Sequence, residues 1–127
     1  MDSVIDPGIV SMKSLSSFEK IYIHKNYVDF RKSINGLSAI VVSDMSLDLR
    51  KSAIFIFCNQ KRSHMKMLYF DRSGFALWMK RLEDAKFSWP KRIDNDVIEI
   101  SCEDIELLLS GINIWTRFEN VYFEEII

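Results

Sequence analysis

Three short apolar runs limit how this chain can fold: "AIFIFC" (53–58), "MKMLYF" (65–70) and "FALWMKRL" (75–82). They are rich in β-branched and aromatic residues and are separated by polar turns, "NQKRSH" (59–64) and the glycine-ended "DRSG" (71–74). Runs of this length between turn signals read as strands, and three in succession predict an antiparallel meander. The third run also fits a helix by composition, but its strand neighbours and the flanking turns favour a strand. "EDA" (83–85) then turns the chain into "KFSWP" (86–90), a further strand stopped by Pro90, which has no amide donor for a ladder. "KIYIHKNYV" (20–28) and "VIEI" (97–100) read as additional short strands.

Between the first strand and the meander the period changes. Phe30, Ile34, Leu37, Ile40 and Val41 fall at helical spacing. This predicts a central helix over about 29–43, with Asn26 or Asp29 as the cap that accepts from free first-turn amides. Gly36 inside it costs about 1 kcal/mol relative to alanine, which a close approach of another backbone would explain. A second helix is expected over about 102–110. Ser101 caps it, and Glu103, Asp104 and Glu106 place negative charge near its amino end. Ile105, Leu108 and Leu109 form its buried stripe, and Gly111 stops it.

The fold class is therefore α+β: a small antiparallel β-meander with a central and a C-terminal helix. Residues 1–18, with Pro7-Gly8 and clustered serines, read as a flexible N-terminal arm, and 19–127 as a single domain. A chain of 127 residues is long enough for one core. The apolar segment after Gly111 is expected to pack on the body or on a second copy.

The formal net charge of −1 hides an asymmetry. Residues 20–92 carry fifteen Lys or Arg against six Asp or Glu, whereas 93–127 carry one base and nine acids. Such a basic body suits a polyanion; equally, body and tail could pack together and neutralise each other. With no apolar run near ~18 residues, no membrane span is expected, and the N-terminus lacks the pattern of a secretory signal. The expected location is the cytoplasm.

Enzyme chemistry finds little support. A nucleophilic hydrolase needs a nucleophile, a base and an orienting group, and neither His24 nor His64 lies in such a motif. His24, Cys58, His64 and Cys102 lack metal-ligand spacing, and four glycines build no phosphate cradle. No metal or cofactor is expected, and the cysteines read as buried free thiols. Asp71 and Glu83 could meet at one edge of the meander, but their basic neighbours make ion pairs the better reading. What remains is a set of cations: Arg31, Lys32, Lys61, Arg62, Lys66, Arg72, Lys80 and Arg81, candidates for DNA phosphates. Lys86 lies near the third turn. Trp78, Trp89, Phe75 and Phe87 read as core. Alternation along 75–82 puts Trp78 and Lys80 on one face and Arg81 on the other, with Glu83 placed to pair with Arg81.

Two blocks carry a resemblance. "DFRKSINGL" (29–37) resembles D-x-R-K-x-x-x-G-L, on Asp29, Arg31, Lys32, Gly36 and Leu37. "KMLYFDRSGFALWMKRLEDAKFSWP" (66–90) resembles K-x-L-x-x-D-x-x-G-F-x-L-W-x-K-R-L-E followed by F-x-W-P, and "LLSGI" (108–112) resembles a closing L-L-x-G-I. Over about 20–114 the chain resembles the TnpB family, the Orf2 products of insertion sequences of the IS-sixty-six class, unrelated to the RNA-guided nuclease that shares that name. The resemblance implies a bacterial, non-catalytic accessory protein of transposition that assists a separate transposase and is supposed to bind DNA at element ends. It brings no catalytic residues. The chain departs from the pattern at 47–57, which lacks a P-x-x-G stretch, and in its apolar, acidic tail. That tail supports an alternative: a protein-contact module that scaffolds the transposase or other accessory proteins.

Overall fold

The computed structural model describes residues 15–43, 45, 47–48, 52–91 and 93–116. A 3-10 turn at Leu15–Ser17 precedes β1 (Lys20–His24) and α1 (Ile34–Ser43). The sequence continues through β2 (Ala53–Cys58), β3 (His64–Asp71), β4 (Gly74–Arg81), β5 (Val97–Ile100) and α2 (Cys102–Leu109). The flexible-arm expectation falls mostly outside the described residues; of the arm, Phe18 is buried in the core.

The meander forms as expected. β2–β3 and β3–β4 are antiparallel hairpins, with Phe55 opposite Leu68 and Met67 opposite Trp78. The sheet itself is mixed, in the order β4-β3-β2-β1-β5. β1 runs parallel to β2, with Tyr22 beside Phe55, and antiparallel to β5, with Ile23 opposite Ile98. A parallel pair needs a long crossover, and residues 25–52 supply it, with α1 inside.

Both faces of the sheet are covered. Alternation sends Ala53, Phe55 and Phe57 of β2 to one side, where they meet Leu68, Leu37 and Val41 of α1, and Met45. It sends Ile54, Ile56 and Cys58 to the other, with Ile21, Ile23, Met65, Met67 and Trp78. There the cover is α2, through Ile105 and Leu108, and two further segments, one carrying Phe87, Trp89 and Ile93 and the other Ile114 and Trp115. Trp78 and Trp89, both in the second block, are thus core, as the sequence reading expects. The apolar tail begins by packing on the body through Ile114 and Trp115; its remainder, 117–127, lies outside the described residues.

Three local expectations are corrected. First, α1 begins at Ile34, not near 29. Asp29 Oδ1 accepts from the Arg31 amide at 2.8 Å, which closes a turn on the side chain instead of capping a helix. Asn26 bonds Asp96 instead, and Phe30 falls outside the buried stripe, 43% exposed. Second, 86–90 adds no strand to the ladder. Its polar groups go elsewhere: the Phe87 amide donates to Arg62 O at 2.7 Å, and Trp89 Nε1 donates to Lys25 O at 2.9 Å. Trp115 Nε1 donates to Ser88 O at 2.8 Å, and the two indoles meet edge-on. Third, among the described residues the atoms nearest a side chain at Gly36 belong to Lys32 and not to another backbone. A Cβ there would meet Cβ and Cγ of Lys32 at 3.3 Å, so the glycine makes room for a lysine stem. Asp71 and Glu83 do not meet, and Glu83 pairs with Arg81, as the ion-pair reading expects. Asp71 pairs with Gly74 at one end of the β3–β4 hairpin, while Arg81 pairs with His64 at the other, roughly 24 Å away for strands of this length.

The ends of α2 match the expectation. Ser101 Oγ accepts from the Asp104 amide and Asp104 Oδ2 accepts from the Ser101 amide, a reciprocal capping box. Gly111 terminates the helix at φ +85°, a left-handed conformation that glycine adopts without penalty. Both cysteines are free. Cys58 is buried, which pushes its thiol up to about 12; Cys102 is half-buried and donates to Glu106.

Three outcomes follow for urea denaturation. Phe55→Ala removes a fully buried ring and is expected to lower stability by about 3–5 kcal/mol, whereas Phe30→Ala, at an exposed site, should cost less than about 1 kcal/mol. Ser101→Ala opens the capping box and is expected to cost about 1 kcal/mol.

Candidate nucleic-acid interface

The β2–β3 turn is rigid because one side chain closes it. Asn59 Oδ1 accepts from the Ser63 and His64 amides, each at 3.0 Å. Arg62 sits in a left-handed conformation at φ 59°, its amide bonded to Asn59 O and its carbonyl to the Phe87 amide. This turn therefore holds Lys61 and Arg62 at one end of the sheet. With Oδ1 committed, Asn59 Nδ2 faces Ser63 Oγ at 3.1 Å and His64 Nδ1 at 3.3 Å. An amide NH2 can only donate, so Nδ1 is the acceptor and neutral His64 carries its proton on Nε2. Burial, then the charges of Arg81 and Lys66, hold this imidazole below its ordinary pKa; Glu83 opposes them.

The crossover loop 25–33 faces this turn. The Val28 amide donates to Cys58 O at 3.0 Å and docks the loop on the end of β2. Lys66 Nζ donates to Phe30 O at 2.7 Å and to Lys32 O at 2.5 Å, which fixes the backbone on either side of Arg31. The Phe30 ring lies 4.2 Å from the His64 ring and 5.0 Å from Lys66 Nζ, a cation–π arrangement. Between loop and turn runs an open groove of about 670 Å³, lined by Tyr27, Phe30, Asn59, Lys61, Ser63 and His64 among others. A second hollow on the far side of Lys61 and Ser63 is lined by Leu82–Lys86.

The eight candidate cations divide by what they already hold. Arg31 binds both carboxylate oxygens of Asp29, and this pair drives the Asp29 pKa well below the usual carboxylate range. Arg81 Nε donates to Glu83 at 2.8 Å, the pairing expected from their spacing. Lys66 is spent on carbonyls, and burial lowers its pKa. Lys80 lies on the opposite face, as alternation predicts, and donates to Leu109 O at 3.0 Å. There it satisfies a last-turn carbonyl of α2 at the negative end of the helix dipole. Arg72 sits at the far end of the hairpin, in a left-handed turn at φ 51°. The side chains of Lys32, Lys61, Arg62 and Arg72 make no hydrogen bond or ion pair among the described residues. Lys61 and Arg62 share the turn at the groove, and Lys32 follows Phe30 in the facing loop. Tyr27, Phe30 and His64 escape sequence reading: nothing local distinguishes an exposed ring from a core ring, and Phe30 fits the helical period.

The arrangement suits a polyanion with flat apolar groups, through unpaired cations beside half-exposed rings. Cys58, at the end of β2 under the groove, is buried, which pushes its thiol up to about 12. No helix among the described residues is long and apolar enough to cross a membrane.

The chain is 35% identical over 98 residues to the uncharacterised protein y4jC of Sinorhizobium fredii, covering 77% of this chain and 82% of that one. It is 29% identical over 94 residues to y4hO of the same organism, covering 74% and 81%. No solved structure matches. The family model described as IS66 Orf2 like protein matches residues 19–119, which spans every strand and both helices, so the chain belongs to the IS66 Orf2 family, whose products are accessory to insertion-sequence transposition.

Proposed function

We propose that this chain is a non-catalytic accessory protein of transposition that binds DNA of its element through the basic end of the sheet and assists a separate transposase. The observation that carries this reading is unpaired Lys61 in the groove wall, with unpaired Arg62 next to it in the turn and Lys32 in the facing loop, while Arg31, Lys66, Lys80 and Arg81 are engaged internally. Lys and Arg that face solvent without a partner are free to displace counterions from phosphates, which supplies affinity without reading sequence. Arg72, at the other end of the hairpin, would need a partner strand that spans the length of β3. The acidic α2, with exposed Leu107 beside Glu103 and Glu106, and exposed Ile112 just after its end, would offer a separate surface for the transposase or another accessory protein.

The test is fluorescence anisotropy with element-end DNA across about 50–200 mM salt. Wild-type binding is expected to weaken steeply with salt. The Lys61→Gln, Arg62→Gln double variant should bind less tightly, with a log–log salt slope shallower by about 2, one for each cation removed from a phosphate. Absence of binding at low salt, or a double variant with unchanged affinity and slope, would reject the proposal.

A further inference from the structure

We propose that the groove between Tyr27–Phe30 and Asn59–His64 takes an unpaired base of single-stranded DNA, stacked on Phe30 or Tyr27, with the flanking phosphates on Lys61, Arg62 and Lys32. The inference rests on the DNA-binding reading above and narrows it to a ligand class.

Two observations carry it. The first is where the charge is missing. A protein that reads duplex DNA with a helix places cationic and polar side chains on that helix. Here α1, "INGLSAIVVS", contains no charged residue, and α2, "CEDIELLL", contains three acids and no base. Neither helix is built for a major groove. Of the unpaired candidate cations, Lys61, Arg62 and Lys32 lie instead in a turn and a loop at one end of the sheet, and Arg72 lies in the turn at the other.

The second is what lies beside them. Phe30 is 43% exposed and Tyr27 41% exposed, on one loop that faces Lys61. Phe30 is held in place rather than loose. Lys66 bonds its carbonyl and lies 5.0 Å from its ring, and the His64 ring packs against it at 4.2 Å. A preorganised ring that keeps an open side costs little to use, because no further ordering is needed on binding. Bases of a duplex hide their faces in the stack, so an exposed ring gains little from one; an unpaired base has a free π-face, and rings beside a basic groove are how small domains hold single strands. His64 Nε2–H adds a donor, its Nδ1 being occupied by Ser63 and Asn59.

The experiment compares the full chain on oligo-dT of about 12 nucleotides, within the footprint of one small domain, with a duplex of the same length. The single strand should bind more tightly. Phe30→Leu, and separately Tyr27→Leu, leave the core intact; the two together are expected to weaken single-strand binding about tenfold and to leave duplex binding within about twofold. Phe30→Trp should restore the loss. Single-strand affinity unchanged by both leucine substitutions, a duplex preference, or tighter binding of the matching RNA would overturn the inference. If Lys61→Gln, Arg62→Gln still weakens binding in those cases, the broader DNA reading survives; if neither DNA form binds at low salt, both fall.

Discussion

Strand β2 sets the terms for the whole molecule. All six of its residues are buried, so both faces of the sheet must be covered at its centre. A strand buried on both sides takes a continuous apolar run, and "AIFIFC" is one. One face is covered by α1, which lies in the connection from β1, and the other by α2 with the Trp89–Trp115 contact. Because β1 is parallel to β2, that connection must return along the sheet. The loop that starts it, 25–33, therefore lies against the end of β2 beside the β2–β3 turn. The groove is a geometric consequence of the crossover.

The same packing decides which cations remain available. A lysine whose stem crosses an apolar surface can place its ammonium on a carbonyl that would otherwise lack a partner. Lys25 does this at Ile93 O, Lys66 at Phe30 O and Lys32 O, and Lys80 at Leu109 O. Each ties an irregular segment or a helix end to the sheet. Arg31 and Arg81 instead meet acids two residues away. These exposed pairs contribute little to stability, but they neutralise charge locally. Part of the acidic C-terminal third also meets the body directly, since Lys20 pairs with Glu99 across β1 and β5. Of the eight candidate cations, the unpaired ones thus reduce to Lys32, Lys61 and Arg62 at one end of the sheet and Arg72 at the other.

The meander was legible because its information is local: short apolar runs, two polar turns and a terminal glycine. The capping box and Gly111 were legible for the same reason. The parallel β1–β2 pair was not, because nothing in "KIYIH" specifies its neighbour. The start of α1 misled because Phe30 keeps the helical period while the Asp29 side chain takes the Arg31 amide for a turn. "KFSWP" misled because its aromatic alternation reflects packing against the core rather than ladder pairing. Among the candidate cations, Lys61 and Arg62 were readable from their turn. Lys66 and Lys80 were not, since their acceptors lie 36 and 29 residues away. Arg81 with Glu83 was readable because the partner is on the same strand face.

The distribution of charge also bears on how such a protein would choose its DNA. Sequence is read by side chains that reach base edges, and phosphate contacts only fix position. On the proposed reading, the two helices are committed to the core and carry no cation, while the groove offers rings and ammonium or guanidinium groups that accept any base. Affinity would then follow the state of the DNA, unpaired or distorted, rather than its sequence. An element whose ends must be found by sequence would leave that task to the transposase. The accessory chain would act where strands have been opened, and its acidic, partly apolar α2 surface lies away from the groove, where a second protein could sit while DNA is held.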